Sequence, residues 1–198
     1  MSNFLNDYNP LVCTDAEIAL LRDQEIWKTK KKLTTKIDNL LGQIEAEARH
    51  RYADCFENLS GLKWRSKLSR GEQYEGYPYR ILDAPGHFHH NHLSAVRNFI
   101  WFGHYACSYL LLKGTSAEIF KKKVSGKLSA LGVQISICTD ATPWNHRFEE
   151  NMISLDQGIS LISNHEFIKL GLKAELGSLE EMHLFFTESY RIYTELIA

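Results

Sequence analysis

"SAVRNFIWFGHYACSYLLLK", residues 94–113, decides the fold class of this chain. Aromatic and branched residues fill it, yet as one extended strand it would span roughly 60 Å, too long for a domain of this size. Gly103 therefore marks a bulge, bend or turn that divides it into two strands. A buried helix is the competing assignment, and periodicity alone does not separate the two. The segment before it favours strands. From Gly61 onward the chain is punctuated by Gly71, Gly76, Pro78, Pro85 and Gly86, with β-forming runs such as "YPYRILDA" (residues 77–84) between them.

Reading outward toward the N-terminus, Thr14 followed by Glu17 has the form of a capping box and opens a long helical region over residues 14–56, with a pause near Arg22-Asp23. Ile26, Leu33, Ile37, Leu40, Ile44 and Ala48 draw one apolar stripe along it. Lys30 and Glu47 interrupt that stripe, which favours an amphipathic helix packed on a sheet over a coiled coil. A helix of about 30 residues is about 45 Å long, more than one domain needs, so its far end is expected to meet a second subunit in a homo-oligomer.

Reading toward the C-terminus, residues 116–131 have helical spacing, with Phe120, Val124, Leu128 and Leu131 inward and Gly132 as the stop. Residues 133–139, 159–162 and 167–172 are read as strands, and Ser178-x-x-Glu181 opens a last helix to Ile197. This order gives one α+β domain over residues 1–198: an antiparallel β-sheet with a long N-terminal helix, a middle helix and a C-terminal helix packed mainly on one face. Regular βαβ alternation is absent, which argues against a Rossmann-like fold.

Composition bounds the function classes. With 44% hydrophobic and 24% charged residues among 198, the chain is expected to fold throughout. A formal net charge of −1 supplies no global field for phosphate backbones or anionic lipid. No nucleic-acid partner is expected, and the lysines at positions 28, 30, 31, 32, 36 and 121–123 are read as solvated helix faces. The most apolar window, residues 98–112, is too short to cross a membrane. Cys13, Cys55, Cys107 and Cys138 are widely spaced and form no C-x-x-C pair, and residues 1–15 lack the pattern of a secretory signal. A cytoplasmic protein with reduced thiols is expected.

"PGHFHHNH" (residues 85–92) concentrates four histidines, His87, His89, His90 and His92. His-x-His on a strand would aim two imidazoles at one face, but no spacing supplies the remaining zinc ligands. Gly86 and Asn91 suggest a solvated loop instead, from a strand ending near Asp83 to the segment beginning near Ser94. Neither a metal nor a cofactor is expected. Polar groups with more promise lie in "SRGEQYEGYPYRILDAP" (residues 69–85) and "TPWNHRFEEN" (residues 142–151). The first presents Arg70, Glu72, Tyr74 and Tyr79 around two glycines and a proline, either as a ligand loop or as a hairpin with an Arg70–Glu72 pair. The second offers Trp144 for stacking and His146 as an acid or base beside Glu149. Arg97, inside the apolar segment, requires a partner, with Asp83, Glu72 or a ligand carboxylate as candidates.

These residues carry a resemblance. Arg70, Gly71, Glu72, Tyr74, Gly76, Pro78, Tyr79, Leu82, Asp83 and Pro85, then Arg97 and Trp101, then Pro143, Trp144, His146, Phe148 and Glu149 form a pattern that resembles an uncharacterised bacterial protein family. The resemblance covers most of the chain from the first helix onward, implies no activity, and does not include the histidine cluster. The expected function is binding of a small molecule or protein partner through Arg70, Glu72, Tyr74, Tyr79, Arg97, Trp144 and His146. The alternatives are an enzyme using His146 with Glu149 or Glu72, and an interaction protein that dimerises through its long helix.

Overall fold

A computed structural model describes residues 12–124 and 135–198. Two compact units divide the chain, residues 1–37 and 38–198. In the first, Thr14 caps α1 (Asp15–Arg22): its Oγ1 accepts from the Glu17 amide at 3.2 Å and the Glu17 carboxylate accepts from the Thr14 amide at 2.7 Å. The expected pause falls on Asp23. Its extended backbone ends α1, and its carboxylate accepts the amides of Glu25 and Ile26 at 2.9 and 3.0 Å, opening α2 (Gln24–Ser60).

The second unit holds the rest of α2 and a seven-stranded sheet: β1 (Lys67–Tyr74), β2 (Tyr77–His89), β3 (His92–Trp101), β4 (Tyr105–Lys113), β5 (Ser136–Cys138), β6 (Met152–Ser154) and β7 (Phe167–Glu175). Strand order is β1-β2-β3-β4-β7-β5-β6, and every pairing is antiparallel. Helices α3 (Thr115–Val124), α4 (Phe148–Asn151), α5 (Leu155–Gly158), α6 (Leu161–Asn164) and α7 (Leu179–Ile197) complete it. The α+β expectation is met. Gly103, at φ +81°, divides residues 94–113 as a turn, and the His104 amide closes it on the Trp101 carbonyl at 3.0 Å. Glu75 and Gly76, both at positive φ, form the two-residue hairpin turn between β1 and β2.

Alternation along the strands gives the sheet two buried faces. On one, Asn98 and Ser108 lie under α7: Asn98 Nδ2 donates to Tyr190 Oη at 3.1 Å and Tyr193 Oη donates to the Ser108 carbonyl at 2.6 Å. Val96, Ile100, Ala106 and Leu110 share that face, with Leu41, Ile44 and Phe56 of α2 also in the core. On the other face Leu93, Ala95, Phe99, Trp101, Tyr105, Cys107, Tyr109 and Leu111 form a second cluster. Among the described residues no long helix covers that cluster; the segment of residues 139–151 lies against it.

Two local expectations are corrected. Residues 85–92 are not a loop: β2 runs to His89 and β3 starts at His92, leaving only His90 and Asn91 in the turn. Gly86 marks a bulge instead, where the β2–β3 register shifts and its amide donates to the Arg65 carbonyl at 2.8 Å. Residues 159–162 are not a strand: Ile159 and Ser160 turn the chain from α5 into α6, which opens at Leu161 and Ile162, and the Ile162 amide donates to the Ile159 carbonyl at 3.2 Å. The middle helix is described to Val124; Leu128, Leu131 and Gly132, the start of the strand expected at residues 133–139, and the signal-peptide reading of residues 1–11 lie outside the described residues.

Candidate functional site

Asp83 on β2 and Arg97 on β3 are direct cross-strand partners on the face away from α7. Their register makes a fork-to-fork ion pair, Nε to Oδ1 at 2.7 Å and Nη2 to Oδ2 at 3.0 Å, with both side chains largely buried. Of the three partners the sequence offered for Arg97, the fold uses Asp83. The remaining guanidinium nitrogen, Nη1, lies 3.2 Å from His146 Nε2. Guanidinium only donates, so Nε2 is the acceptor and the imidazole is neutral with its proton on Nδ1. Burial, then the nearby Lys169 and Arg97 charges, hold His146 well below the usual histidine range, in agreement with that tautomer. Nδ1 is buried and has no hydrogen-bond partner among the described residues.

Above the ion pair, the Arg97 guanidinium carbon sits 5.3 Å from the Phe88 ring centre and 5.4 Å from that of Trp144. The two rings are themselves 5.9 Å apart. Both stay partly open to solvent, Phe88 at 38% and Trp144 at 49%. Arg97 thus holds in place an indole that would otherwise be a loose surface side chain.

Residues 139–151 are fastened to the sheet by hydroxyls and one amine. The His146 amide donates to Tyr74 Oη at 3.0 Å, and the His146 carbonyl accepts from Tyr105 Oη and Tyr109 Oη, each at 3.2 Å. Lys169 Nζ donates to the Asn145 carbonyl and lies 4.3 Å from the centre of the Tyr109 ring. This lysine is 1% exposed, and burial draws its pKa down to about 8. At the rim Arg147 pairs with Glu75 and Glu150, and Lys173 with Glu149. Inside the segment, Asp140 accepts from the Thr142 amide and the Asn145 side chain, a local scaffold that short polar residues supply.

Next to Trp144 opens a cleft of about 400 Å³, within the range of small-molecule sites. Phe88, Phe167 and Trp144 form its aromatic wall, and His89, His90 and Lys113 bring two imidazoles and an ammonium to its lining. Lys113 Nζ is 2.8 Å from the carboxylate of Glu166, whose side chain is largely exposed. Cys107, a thiol buried in β4, is pushed up to about 12 by burial and stays protonated.

The fold brings Tyr74, Tyr79, Arg97, Trp144 and His146 together: Tyr74 stands edge-on to Tyr79 at 6.2 Å, and the His146 ring is 6.0 Å from Tyr74. Arg70 and Glu72 do not join them. Arg70 bonds Asp38 of α2 at 2.9 Å, and Glu72 lies 3.7 Å from Arg80, which also reaches Asp38. The alternation of β1 explains this: Gly71 faces the aromatic cluster, beneath the Tyr79 ring, so its neighbours point to the helix side. The expected pairing of His146 with Glu149 or Glu72 is not assembled, since those carboxylates are engaged by Lys173 and Arg80. Sequence reasoning missed Lys169, although "FIKLGL" carries the signal that exposed Arg97, a cation inside an apolar strand.

Among the described residues no group of three His, Cys, Asp or Glu side chains is placed to hold a metal ion, and no helix is long and apolar enough to cross a membrane. Searches against family models, curated proteins and solved structures find no match, so the pattern resemblance brings no function to this chain.

Proposed function

We propose that this protein is a small-ligand binding domain and that the cleft beside Trp144 is its site. The observation that carries the reading is the Trp144 indole: half-exposed, yet stacked over a guanidinium that is itself locked to Asp83 and His146. A pre-set aromatic surface loses little conformational freedom on binding. Three aromatic rings favour a flat, partly apolar molecule. Lys113, with His89 and His90 beside it, favours an anionic group on that molecule, because the exposed Glu166 is a weak competitor that a ligand carboxylate can displace. Acid–base catalysis by His146 receives no support from the geometry, since Nε2 is occupied by Arg97 and Nδ1 is sealed from the surface. Four widely spaced cysteines with no C-x-x-C pair favour a reducing cytoplasm as the compartment.

The test is saturation-transfer NMR with a panel of aromatic carboxylates and their amide analogues at millimolar concentration. Binding of the carboxylates by the intact chain, its loss in Trp144→Ala and its weakening in Lys113→Met are expected, with circular dichroism unchanged. No transfer to any carboxylate, or equal transfer in Trp144→Ala, would overturn the proposal.

A further inference from the structure

Residues 12–37 carry half of the exposed large apolar side chains among the described residues: Val12, Leu20, Leu21, Ile26, Trp27 and Leu33. Their placement is fixed. The Trp27 indole N–H donates to the Leu20 carbonyl at 3.0 Å and ties α1 to the start of α2, while Asp23 caps the junction. Ile26 and Leu33, seven residues apart, lie on one side of α2, the spacing of a helix-pairing seam. Lys30, four residues after Ile26, is the polar member of that seam, a position that specifies orientation and register more than it adds affinity.

Charge runs along this stretch in two blocks. Asp15, Glu17, Asp23 and Glu25 stand against Arg22 alone in the first half; Lys28, Lys30, Lys31, Lys32 and Lys36 follow with no carboxylate among them. A second copy laid antiparallel sets acidic block against basic block at both ends of a two-fold contact, whereas a parallel copy sets lysines against lysines. The Lys28–Glu25 pair within one copy is highly exposed on both sides and gives way readily to a partner across the interface. Other occupants fit less well. Residues 1–11 have Asp7 as their sole charged side chain and cannot match five lysines, and the acidic block repels phosphate-bearing surfaces.

We infer that residues 12–37 are a self-association surface on which two copies of the chain pair antiparallel, through the Ile26–Leu33 seam and complementary charge blocks. The contact does not depend on the ligand cleft.

Sedimentation velocity of the full chain tests it. A dimer that weakens as salt is raised is expected, and Ile26→Glu with Leu33→Glu weakens it by about a hundredfold or more, because each change counts twice in a two-fold contact. Both side chains are exposed, so unchanged circular dichroism and melting are expected and separate this effect from misfolding. In a charge-swap pair, a copy with Lys28→Glu, Lys31→Glu and Lys32→Glu is a monomer alone, as is a copy with Asp15→Lys, Glu17→Lys and Glu25→Lys, and the mixture forms a heterodimer. A monomeric parent chain, or a dimer untouched by the seam variant, would overturn the inference. So would a chain lacking residues 1–11 that dimerises when the full chain does not, since the face would then belong to its own N-terminal arm.

Discussion

Asp83→Ala tests the anchor beneath the cleft. Both Asp83 oxygens are used by Arg97, at 2.7 and 3.0 Å, and the two side chains are 4% and 13% exposed. Removing one partner of such a pair strands a buried charge and typically costs about 3–5 kcal/mol. Arg97 keeps His146 Nε2 and two aromatic rings, each ring contact being worth about 0.5–1 kcal/mol, which places the expected loss near 3 kcal/mol. Asp83→Leu combined with Arg97→Met removes both charges at similar volume and is expected to lose no more than about 2 kcal/mol, mostly from the unpaired His146 nitrogen. Urea unfolding at pH 7.5 reads both. A single variant within about 0.5 kcal/mol of the parent, or a double variant worse than the single, would refute the reasoning that an unpaired guanidinium sets the cost.

Burial lowers the pKa of His87 and His92 from 6.5, and of His146 well below it, so the unfolded chain takes up these protons first. Their contribution to stability is therefore complete above pH 6.5 and declines as pH falls toward the folded-state values, which urea midpoints at pH 7.5 and 5.5 will register. Lys169 titrates near 8 in the fold against 10.5 when free, so stability rises between those values, and Lys169→Met abolishes the rise. At pH 7 that variant is expected to be about 1 kcal/mol more stable, an uncharged chain gaining about 3 kcal/mol against a lost hydrogen bond and ring contact. Gly71→Ala places a methyl 2.2 Å from the Tyr79 ring, displaces it from Tyr74 and Phe99, and is expected to cost about 1–3 kcal/mol with a changed near-ultraviolet dichroism spectrum.

Elements whose signals are local were legible in the chain. Thr14 and Ser178 cap their helices through Glu17 and Glu181, and Gly103 turns the apolar segment into two strands. Arg97 declared its need for a carboxylate because a cation in an apolar run has few physical options. What escaped reading depends on pairing across distance. The bulge at Gly86 looked like a loop, because glycine serves either role and only the β2–β3 register decides. Arg70 and Glu72 looked like site residues because they neighbour Tyr74 in sequence, while strand alternation sends them to Asp38 and Arg80. The hold on residues 139–151 by Tyr74, Tyr105, Tyr109 and Lys169 comes from three strands far apart in the chain and has no sequence signature.

Trp144 is proposed to form a pre-set wall for a flat anionic ligand. The most direct measurement is the ¹H–¹⁵N spectrum of the four indole groups, with Trp144 assigned by Trp144→Phe, during titration with an aromatic carboxylate. A saturable shift of the Trp144 indole resonance is expected, with Trp27, Trp64 and Trp101 unmoved. A Trp144 resonance that stays in place, or indoles that all drift together without saturation, would contradict it.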